Sequence, residues 1–438
     1  MGVASEMATP NFENRTLYHG DNLDFLRGMN SETVDLIATD PPFNKNKDFH
    51  ATPDSLARGA KFVDRWRWDE DVHPEWVDQI EDDWPGVNAV VNSARIANGD
   101  DMAAFLCWLG VRVIEMRRIL KPSGSLYLHI DHTAYAWTKA LMDAIFGRRQ
   151  FQNTIVWKRQ SAHSDAKFFG SIADTILFYG SSPIHADAIR VPLTEEQKSK
   201  YSYEDAFGRY VVGDVSAKGL SGGGYTYDFH GHPGPWRYPK HRLLQLEDEG
   251  RIHLPKKKGG VPRLKRYLHE HKGVVPGNIW LDIPPVQSHA QERTGYPTQK
   301  PLALYERIIK ASSNEGDMVL DPFCGCATTP IAAEKLGRHW VGMDIWEGAH
   351  EIVLQRLASE GLAIPHGGGG RVWKAHVAYS PLGMSTIAQS RRFAPTKSPN
   401  LYRTSSSKCK RQSSRGRNSP TPKYAPCWNR RKDNTATS

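Results

Sequence analysis

A tetrapeptide near the start of the chain, Asp40-Pro41-Pro42-Phe43, has the composition of a loop that could bind an amine. Because Pro41 and Pro42 have no N–H group, the loop carbonyls and the Asp40 carboxylate are acceptors without local donors to satisfy them. Such acceptors suit a substrate N–H₂ group, and the Phe43 ring beside them offers a stacking surface for a planar base. The alternative is a rigid turn that ends the preceding apolar run, 34–39.

A second candidate site combines a loop and an acid late in the chain. The segment from Leu320 to Thr329 predicts a strand, a loop containing Gly325 and the start of a helix, and Asp344 follows the next strand. A tight loop of this kind lets the backbone approach a ligand, and such an acid accepts hydrogen bonds from ribose hydroxyls. The pattern indicates an adenosine-type cofactor. An ordinary turn followed by a surface acid is the alternative.

The formal net charge of +9 is unevenly distributed along the chain. Residues 390–438 carry +12 and the internal segment 237–272 carries +7, so the rest of the chain is acidic. Cations alternate with aromatic residues in and just before the internal segment, which indicates contacts with nucleic-acid phosphates and base edges. The candidates are Arg237, Lys256, Lys257 and Lys258. A solvated basic face is the alternative.

Alternating strand and helix patterns must position these groups. Apolar runs predict strands over 17–21, 34–39, 125–130, 153–157, 174–179, 318–320 and 340–343. Three- and four-residue spacings predict helices over 101–120, 135–146, 302–311 and from about 329. This alternation is typical of an α/β sheet. It stops after residue 180 and resumes near 290, which predicts one domain that is split around an insert.

The chain is therefore expected to have four parts: residues 12–179 and 291–362 are the two halves of the α/β domain, 180–290 the insert and 363–438 a tail. The tail has many Ser, Pro, Lys and Arg residues and few large apolar ones, which predicts disorder. A tryptophan-rich stretch in the first half predicts a packed helical subdomain, a wall of the base pocket or a lid that contacts DNA. It contains Trp66, Trp68, Trp76 and Trp84.

The order of the motifs resembles that of an amino-group DNA methyltransferase. Asp40-Pro41-Pro42-Phe43 comes first, Pro297-Thr298-Gln299-Lys300-Pro301 follows the insert, and Asp321-Pro322-Phe323-Cys324-Gly325 comes last. With the catalytic loop before the cofactor loop, the chain resembles the circularly permuted β class over roughly Leu17 to Leu357. The resemblance implies a Rossmann-like methyltransferase sheet with an inserted target-recognition region. It also implies S-adenosylmethionine as cofactor and double-stranded DNA as partner.

The resemblance further implies a set of cofactor contacts. These are Phe323 and Gly325 against the methionine part, Asp344 on the ribose, Asp21 near the adenine, Thr298 and Lys300 close to the methionine carboxylate, and Asp321 in the same cofactor loop. The chain departs from the family at Ala327, where a second glycine is usual. An added Cβ would weaken cofactor binding if that position needs a positive φ.

The chemistry of the exocyclic amine suggests how the catalytic loop would work. Asp40 and the Pro41 carbonyl would each accept one amine hydrogen, which localises the nitrogen lone pair for attack on a sulfonium methyl group. Pro42 stiffens the loop, and the target base would be flipped out of the duplex and stacked on Phe43. In the family, Asp as first residue of the loop more often accompanies adenine, so N6-adenine is favoured. N4-cytosine methylation and a catalytically silent DNA-binding relative are the alternatives.

Composition limits the class of protein. With 438 residues, 39% of them apolar and 24% charged, the chain can bury a large core, which excludes a coiled coil, a collagen-like fibre and a wholly disordered protein. No apolar run reaches the roughly 20 residues of a membrane span, so we expect a cytoplasmic protein with no membrane partner. Cys324 and Cys326 lack nearby ligand partners, so no metal site is expected. A homodimer and a restriction endonuclease partner are both left open.

Overall fold

The structure, a computed structural model, describes residues 9–161, 167–257, 259–362 and 377–379. Its strands are β1 (Thr16–His19), β2 (Val34–Thr39), β3 (Lys47–His50), β4 (Lys61–Asp64), β5 (Leu120–Ile130), β6 (Phe151–Lys158), β7 (Ala173–Gly180), β8 (Tyr203–Asp205), β9 (Gly208–Asp214), β10 (Ile252–His253), β11 (Arg263–Tyr267), β12 (Ile279–Trp280), β13 (Met318–Asp321), β14 (His339–Asp344) and β15 (Val377–Tyr379). Its α-helices are α1 (Asn22–Gly28), α2 (Trp68–Asp71), α3 (Pro74–Asp83), α4 (Pro85–Asn98), α5 (Asp100–Ile119), α6 (Tyr135–Phe146), α7 (Glu195–Ser199), α8 (Lys240–Asp248), α9 (Leu302–Ser312), α10 (Thr328–Lys335) and α11 (Ala349–Ser359).

One large sheet organises the chain. Nine strands lie in the order β12-β6-β7-β5-β2-β13-β14-β1-β15, and all neighbours are parallel except the β5–β7 and β6–β7 pairs. A short antiparallel hairpin of β3 and β4 follows the first candidate loop. The α/β class and the Rossmann-like sheet expected from the sequence are confirmed, as are the strands and helices that the apolar spacings predicted.

Two hydrophobic cores cover the two faces of the large sheet. Successive residues of β2 belong to different cores: Ile37 packs in the core that contains residues of α1 and α3–α6, whereas Leu36 and Ala38 pack with residues of α9–α11. Because a strand that is buried on both faces needs apolar residues at successive positions, β2 has a nearly continuous apolar sequence. The longest helix, α5, begins with two acids and ends with two arginines, which suits the helix dipole.

The insert forms a smaller layer with its own sheet. Strands β8–β11 form a four-stranded antiparallel sheet in the order β10-β11-β9-β8. A separate apolar cluster includes Trp236, Leu243 and Phe229. Strand β12 lies inside the range expected for the insert, 180–290, but pairs with β6 of the large sheet. The chain therefore returns to the large sheet earlier than the sequence texture predicted, since a two-residue strand gives no apolar run to recognise.

The end of the described chain also differs from expectation. Residues 377–379 fall in the range 363–438 that was predicted to be a disordered tail, yet they form β15, parallel to β1 at the sheet edge. The short apolar run Val377-Ala378-Tyr379 supplies strand-forming residues that the overall composition of the tail conceals. Residues 363–376 and 380–438 lie outside the described residues, so the prediction of disorder is not tested there.

Candidate active site

The main cavity lies where several parallel strands end. It has a volume of about 490 Å³ and is bordered by the loops after β1, β2, β13 and β14. Ligands of open α/β sheets bind at the carboxyl ends of the strands, which is where this cavity lies. The predicted site residues that line it are Asp21, Asp40, Pro41, Pro42, Phe43, Thr298, Lys300, Asp321, Phe323, Gly325 and Asp344. The structure thus brings both candidate loops and the 297–301 segment into one cavity.

The two carboxylate oxygens of Asp40 have different surroundings. Its Oδ2 accepts a hydrogen bond from the Lys300 ammonium at 2.5 Å, in a pair whose side chains are 18% and 7% exposed. Its Oδ1 is buried and has no hydrogen-bond partner among the described residues. A buried acceptor without a donor is costly unless a ligand supplies the donor. Asp40 therefore has one oxygen fixed by the protein and one available to a bound group.

Phe43 lies on the floor of the cavity. Its ring is buried and stacks on His129 with ring centroids 5.8 Å apart. The ammonium groups of Lys45 and Lys300 each lie 5.3 Å from the centroid of the Phe43 ring. These contacts hold the ring in one orientation, which a stacking surface requires.

A carboxylate that the sequence analysis did not identify holds the backbone of the same loop. Asp64, at the end of β4, is 1% exposed. It accepts hydrogen bonds from the backbone N–H groups of Phe43, Asn44 and Lys45 and from the Trp66 indole. Nothing in the spacing of Asp64 distinguishes it from other acids of the chain, because its role depends on how the β3–β4 hairpin folds back on the loop.

The cofactor loop places Gly325 against an aromatic ring. Gly325 has a φ of 51°, and a Cβ at this position would lie 2.8 Å from the Tyr296 ring. Only glycine combines this left-handed backbone with so close an approach. Ala327, the departure from the family pattern, also has a positive φ of 60° and is fully buried. The position does adopt the conformation in which a Cβ is unfavourable.

Asp321 is buried at the end of β13. It accepts hydrogen bonds from the Thr39 hydroxyl at 2.7 Å and from the Phe323 N–H at 3.1 Å. Loss of solvation raises the pKa of Asp321 to about 7, although these hydrogen bonds oppose the shift. Asp321 therefore links the end of β2 to the loop that follows β13.

Asp21 and Asp344 lie at the ends of the neighbouring strands β1 and β14, and both line the cavity. Asp344 accepts hydrogen bonds from the N–H groups of Gly325 and Trp346, both at 2.7 Å, and burial raises its pKa. Asp21 caps α1 and pairs with the guanidinium of Arg112 at 2.8 Å. Each carboxylate oxygen has a second lone pair, so both acids could still accept a hydrogen bond from a ligand.

Arg112 is a second residue that the sequence analysis missed. It lies on α5, is 1% exposed, and its guanidinium carbon lies 4.3 Å from the centroid of the Trp108 ring. Burial lowers the pKa of Arg112 to about 10, and Asp21 opposes this shift. Arg112 interrupts a run of apolar residues in α5. This interruption was the one signal in the sequence that could have identified it.

The tryptophan-rich stretch packs against the core and also reaches the cavity. Trp66, Trp68, Trp76 and Trp84 are partly buried and pack against the core that contains residues of α3–α5. Trp66 also lines the cavity, beside Trp108 at a centroid distance of 4.5 Å.

Three of the predicted DNA-binding residues, Arg237, Lys256 and Lys257, are described in the structure; they lie in the insert and do not line this cavity. Arg237 follows Trp236 and donates a hydrogen bond from Nε to the Ser216 carbonyl at 2.8 Å. Lys256 and Lys257 are exposed in the turn between β10 and β11. Lys258 lies outside the described residues.

Within the described ranges, no three histidine, cysteine, aspartate or glutamate side chains converge as metal ligands. Burial raises the pKa of both Cys324 and Cys326, which keeps these thiols protonated. None of the helices in the described part of the chain has the length and apolar character that a bilayer crossing requires.

Comparison with known proteins is consistent with this site. A sequence model of the DNA methylase family, which covers N6 and N4 methyltransferases, matches residues 34–355. The chain is 34% identical to the type II methyltransferase M.EcaI of Enterobacter cloacae, over 58% of each chain. It is 31% identical to the Mod subunit of the type III restriction-modification enzyme StyLTI of Salmonella typhimurium, over 72% of this chain and 49% of that one. The DNA adenine methyltransferase YhdJ of Escherichia coli is 27% identical, over 79% and 83%. The chain thus spans about half the length of the first two relatives.

The left-handed backbone at Ala327 leads to a stability prediction with an internal control. Ala332 is equally buried but lies within the right-handed helix α10. We expect Ala327→Gly to change the free energy of unfolding little, because relief of the left-handed strain of about 1–2 kcal/mol offsets the loss of a methyl group. Ala332→Gly should destabilise by about 2 kcal/mol. Unfolding in denaturant measures the stability of both variants. Equal losses of unfolding free energy would show that the backbone at Ala327 is not strained.

The raised pKa of Asp321 leads to a prediction about pH. The folded protein keeps a proton on Asp321 that the unfolded chain releases above about pH 4, so this group's contribution to stability is present below about pH 4 and is lost as pH rises towards about 7. Asp321→Asn removes that loss. We expect the unfolding free energy of the variant, relative to wild type, to increase between about pH 4 and about pH 7 and then level off. A pH-independent difference would show that Asp321 titrates normally.

Proposed function

Because the chain belongs to the N6/N4 DNA methylase family, we propose that it transfers a methyl group from S-adenosylmethionine to the exocyclic N6 amine of a flipped-out adenine at specific sites in double-stranded DNA. The observation that carries the proposal is the buried, unpartnered Oδ1 of Asp40 beside the cofactor loop. An amine hydrogen is the donor that this acceptor lacks. The name of the relative YhdJ, a DNA adenine methyltransferase, supports adenine as the target base.

The residues of the cavity fit a bound nucleoside with a charged amino-acid tail. Gly325 lines the cavity with its backbone alone, because a Cβ there would lie 2.8 Å from the Tyr296 ring. Asp344 and Asp21 offer carboxylate lone pairs to the hydroxyl and amine groups of a nucleoside. Phe323 and Trp108, with ring centroids 5.4 Å apart, add an aromatic wall. Phe323, Gly325, Asp321, Asp344, Asp21, Thr298 and Lys300 would hold the cofactor, which supplies an electrophilic methyl group when bound.

The catalytic loop would act on the amine by accepting its hydrogens. Asp40 Oδ1 and the Pro41 carbonyl accept one N–H each, which concentrates the lone pair on the nitrogen and fixes its direction. Lys300 holds Oδ2 and so prevents the carboxylate from rotating. Phe43 supports the ring of the base from its fixed position on His129. No acid is required, because the leaving group is a neutral thioether, and the proton that the methylated amine must lose would pass to water by way of Asp40 Oδ1.

The insert would provide the contacts with DNA outside the cavity. Lys256 and Lys257 are exposed cations on a turn of a small independent sheet, which suits phosphate contacts. Arg237 is anchored to the backbone beside the same sheet and would contribute a further cation. A relative of the chain is named as the Mod subunit of a restriction-modification enzyme, which supports a restriction endonuclease as a partner.

Asp40→Asn tests the chemistry. The carbonyl of the introduced amide would face the Lys300 ammonium, so its N–H₂ would replace Oδ1 and oppose the substrate amine, donor against donor. We expect transfer to fall by at least about a hundredfold while cofactor affinity is retained. Asp344→Ala should instead weaken cofactor binding first. Mass analysis of nucleosides from treated DNA measures the product, and calorimetry measures the binding.

The result that would contradict adenine specificity is N4-methylcytosine in the same nucleoside analysis. Activity of Asp40→Asn within about tenfold of wild type would remove Asp40 from the mechanism. Absence of any methylated base with the wild-type protein, although it binds the cofactor, would favour a silent DNA-binding relative.

Lys256→Gln combined with Lys257→Gln tests the role of the insert. We expect lower affinity for DNA of every sequence and a salt dependence that is flatter by about 0.9 per lost phosphate contact, with the methylated sequence unchanged. Lys310→Gln combined with Lys335→Gln removes the same charge from α9 and α10, where both lysines pair with acids. That control should leave DNA affinity nearly intact. New methylated sequences at undiminished affinity would mean that Lys256 and Lys257 read bases.

A further inference from the structure

The Asp64 carboxylate has an unusually complete set of donors. Its Oδ1 accepts from the Asn44 N–H at 2.8 Å and the Trp66 indole at 3.1 Å. Its Oδ2 accepts from the Lys45 N–H at 3.0 Å and the Phe43 N–H at 3.1 Å. Three consecutive backbone amides thus converge on one buried anion. Such convergence needs an alternation of backbone conformations, and Asn44 supplies it with a φ of 60°.

These three amides are the first that the loop possesses after Asp40. Pro41 and Pro42 have no N–H group, so Phe43, Asn44 and Lys45 provide the next available donors. Since Asp64 binds all three, every backbone donor from position 41 to 45 is either absent or directed to Asp64. The backbone of this loop can then offer only acceptors, its carbonyl groups, to the cavity beside the Asp40 carboxylate. The Lys45 ammonium also lines the cavity, but it is paired with Asp131 at 2.7 Å.

We propose that Asp64 is a positioning residue for methyl transfer, which leaves the backbone of the catalytic loop with acceptors only and thereby favours an amine over a carbonyl edge of the flipped base. The inference rests on the proposed function. A base that presented a carbonyl group, such as thymine or guanine at O6, would meet no backbone donor from this loop. Adenine and cytosine would meet two acceptors.

The hairpin that carries Asp64 has a second connection with the cavity. Phe49, Lys61, Phe62 and Val63 of β3 and β4 line the cavity together with Asp64. The hairpin is anchored to the loop chiefly through this buried carboxylate, because exposed residues dominate the burial pattern of both strands. The connection between β3 and β4 has backbone hydrogen bonds of its own, from Thr52 to Gly295 and from Ala57 to Thr294. Loss of the Asp64 anchor should therefore release the catalytic loop, while the hairpin and the loop after β13 stay in place.

Asp64→Asn is the direct test, because the amide has the same shape but turns one acceptor into a donor. We expect kcat on unmethylated genomic DNA to fall by about a hundredfold, while the Kd for S-adenosylmethionine and the thermal midpoint of the cofactor-bound protein change little. Asp48→Asn on the same hairpin is the matched control. Asp48 is exposed and, among the residues that the structure describes, forms its ion pair with Arg65, so this variant should retain wild-type kcat.

A kcat of Asp64→Asn within about threefold of wild type would overturn the proposal. A parallel loss of cofactor affinity and kcat would overturn it too, since it would indicate general disruption. If the variant does not fold, hydrogen exchange of the wild-type protein decides. Exchange of the Phe43, Asn44 and Lys45 amides as slow as that of β2 supports the anchor, and exchange as fast as in an exposed loop refutes it. Because the exchange measurement requires no activity, failure of the proposed function would be recognised separately, from a wild-type protein that methylates no DNA.

Discussion

The parallel pairing of β2 with β13 is the contact on which the whole site depends. Val319 pairs with Leu36 and Leu320 with Ile37, so two distant parts of the sequence end at the same edge of the sheet. The loops that begin at Asp40 and after Asp321 therefore leave the sheet side by side. Lys300 then reaches Asp40 across 260 residues of sequence. The cavity is a product of sheet register, since neither loop encloses it alone.

Burial determines which charged groups at this edge of the large sheet must be paired or protonated. A buried ammonium needs a partner, and Lys300 finds it in one oxygen of Asp40. Asp321 lies nearby with a raised pKa, and the Asp40 charge adds to that shift. Asp64 draws the loop amides away from the cavity. One acceptor, Asp40 Oδ1, is left without a donor among the described residues, and a nucleobase amine is well suited to supply it.

Local patterns predicted the fold and most of the cavity lining because the strands that carry the motifs are apolar and end in distinctive loops. Asp40, Phe43, Gly325 and Asp344 could be identified for this reason. Asp64 and Arg112 could not, because their partners are set by tertiary contacts that leave no spacing in the sequence. The same applies to β12, which joins the large sheet through two residues, and to β15 within a basic, polar segment. The ion pair of Lys300 with Asp40 could not be predicted from the motifs either, because the family resemblance implied only a contact between Lys300 and the cofactor.

A crystal structure of the protein with S-adenosylhomocysteine and an oligonucleotide containing its methylation site would test the central claim most directly. The account predicts that the exocyclic amine of a flipped base lies within about 3.2 Å of both Asp40 Oδ1 and the Pro41 carbonyl, with Asp64 still bound to the three loop amides. A base amine outside hydrogen-bond distance of Asp40, or a loop N–H that faces the base, would contradict it.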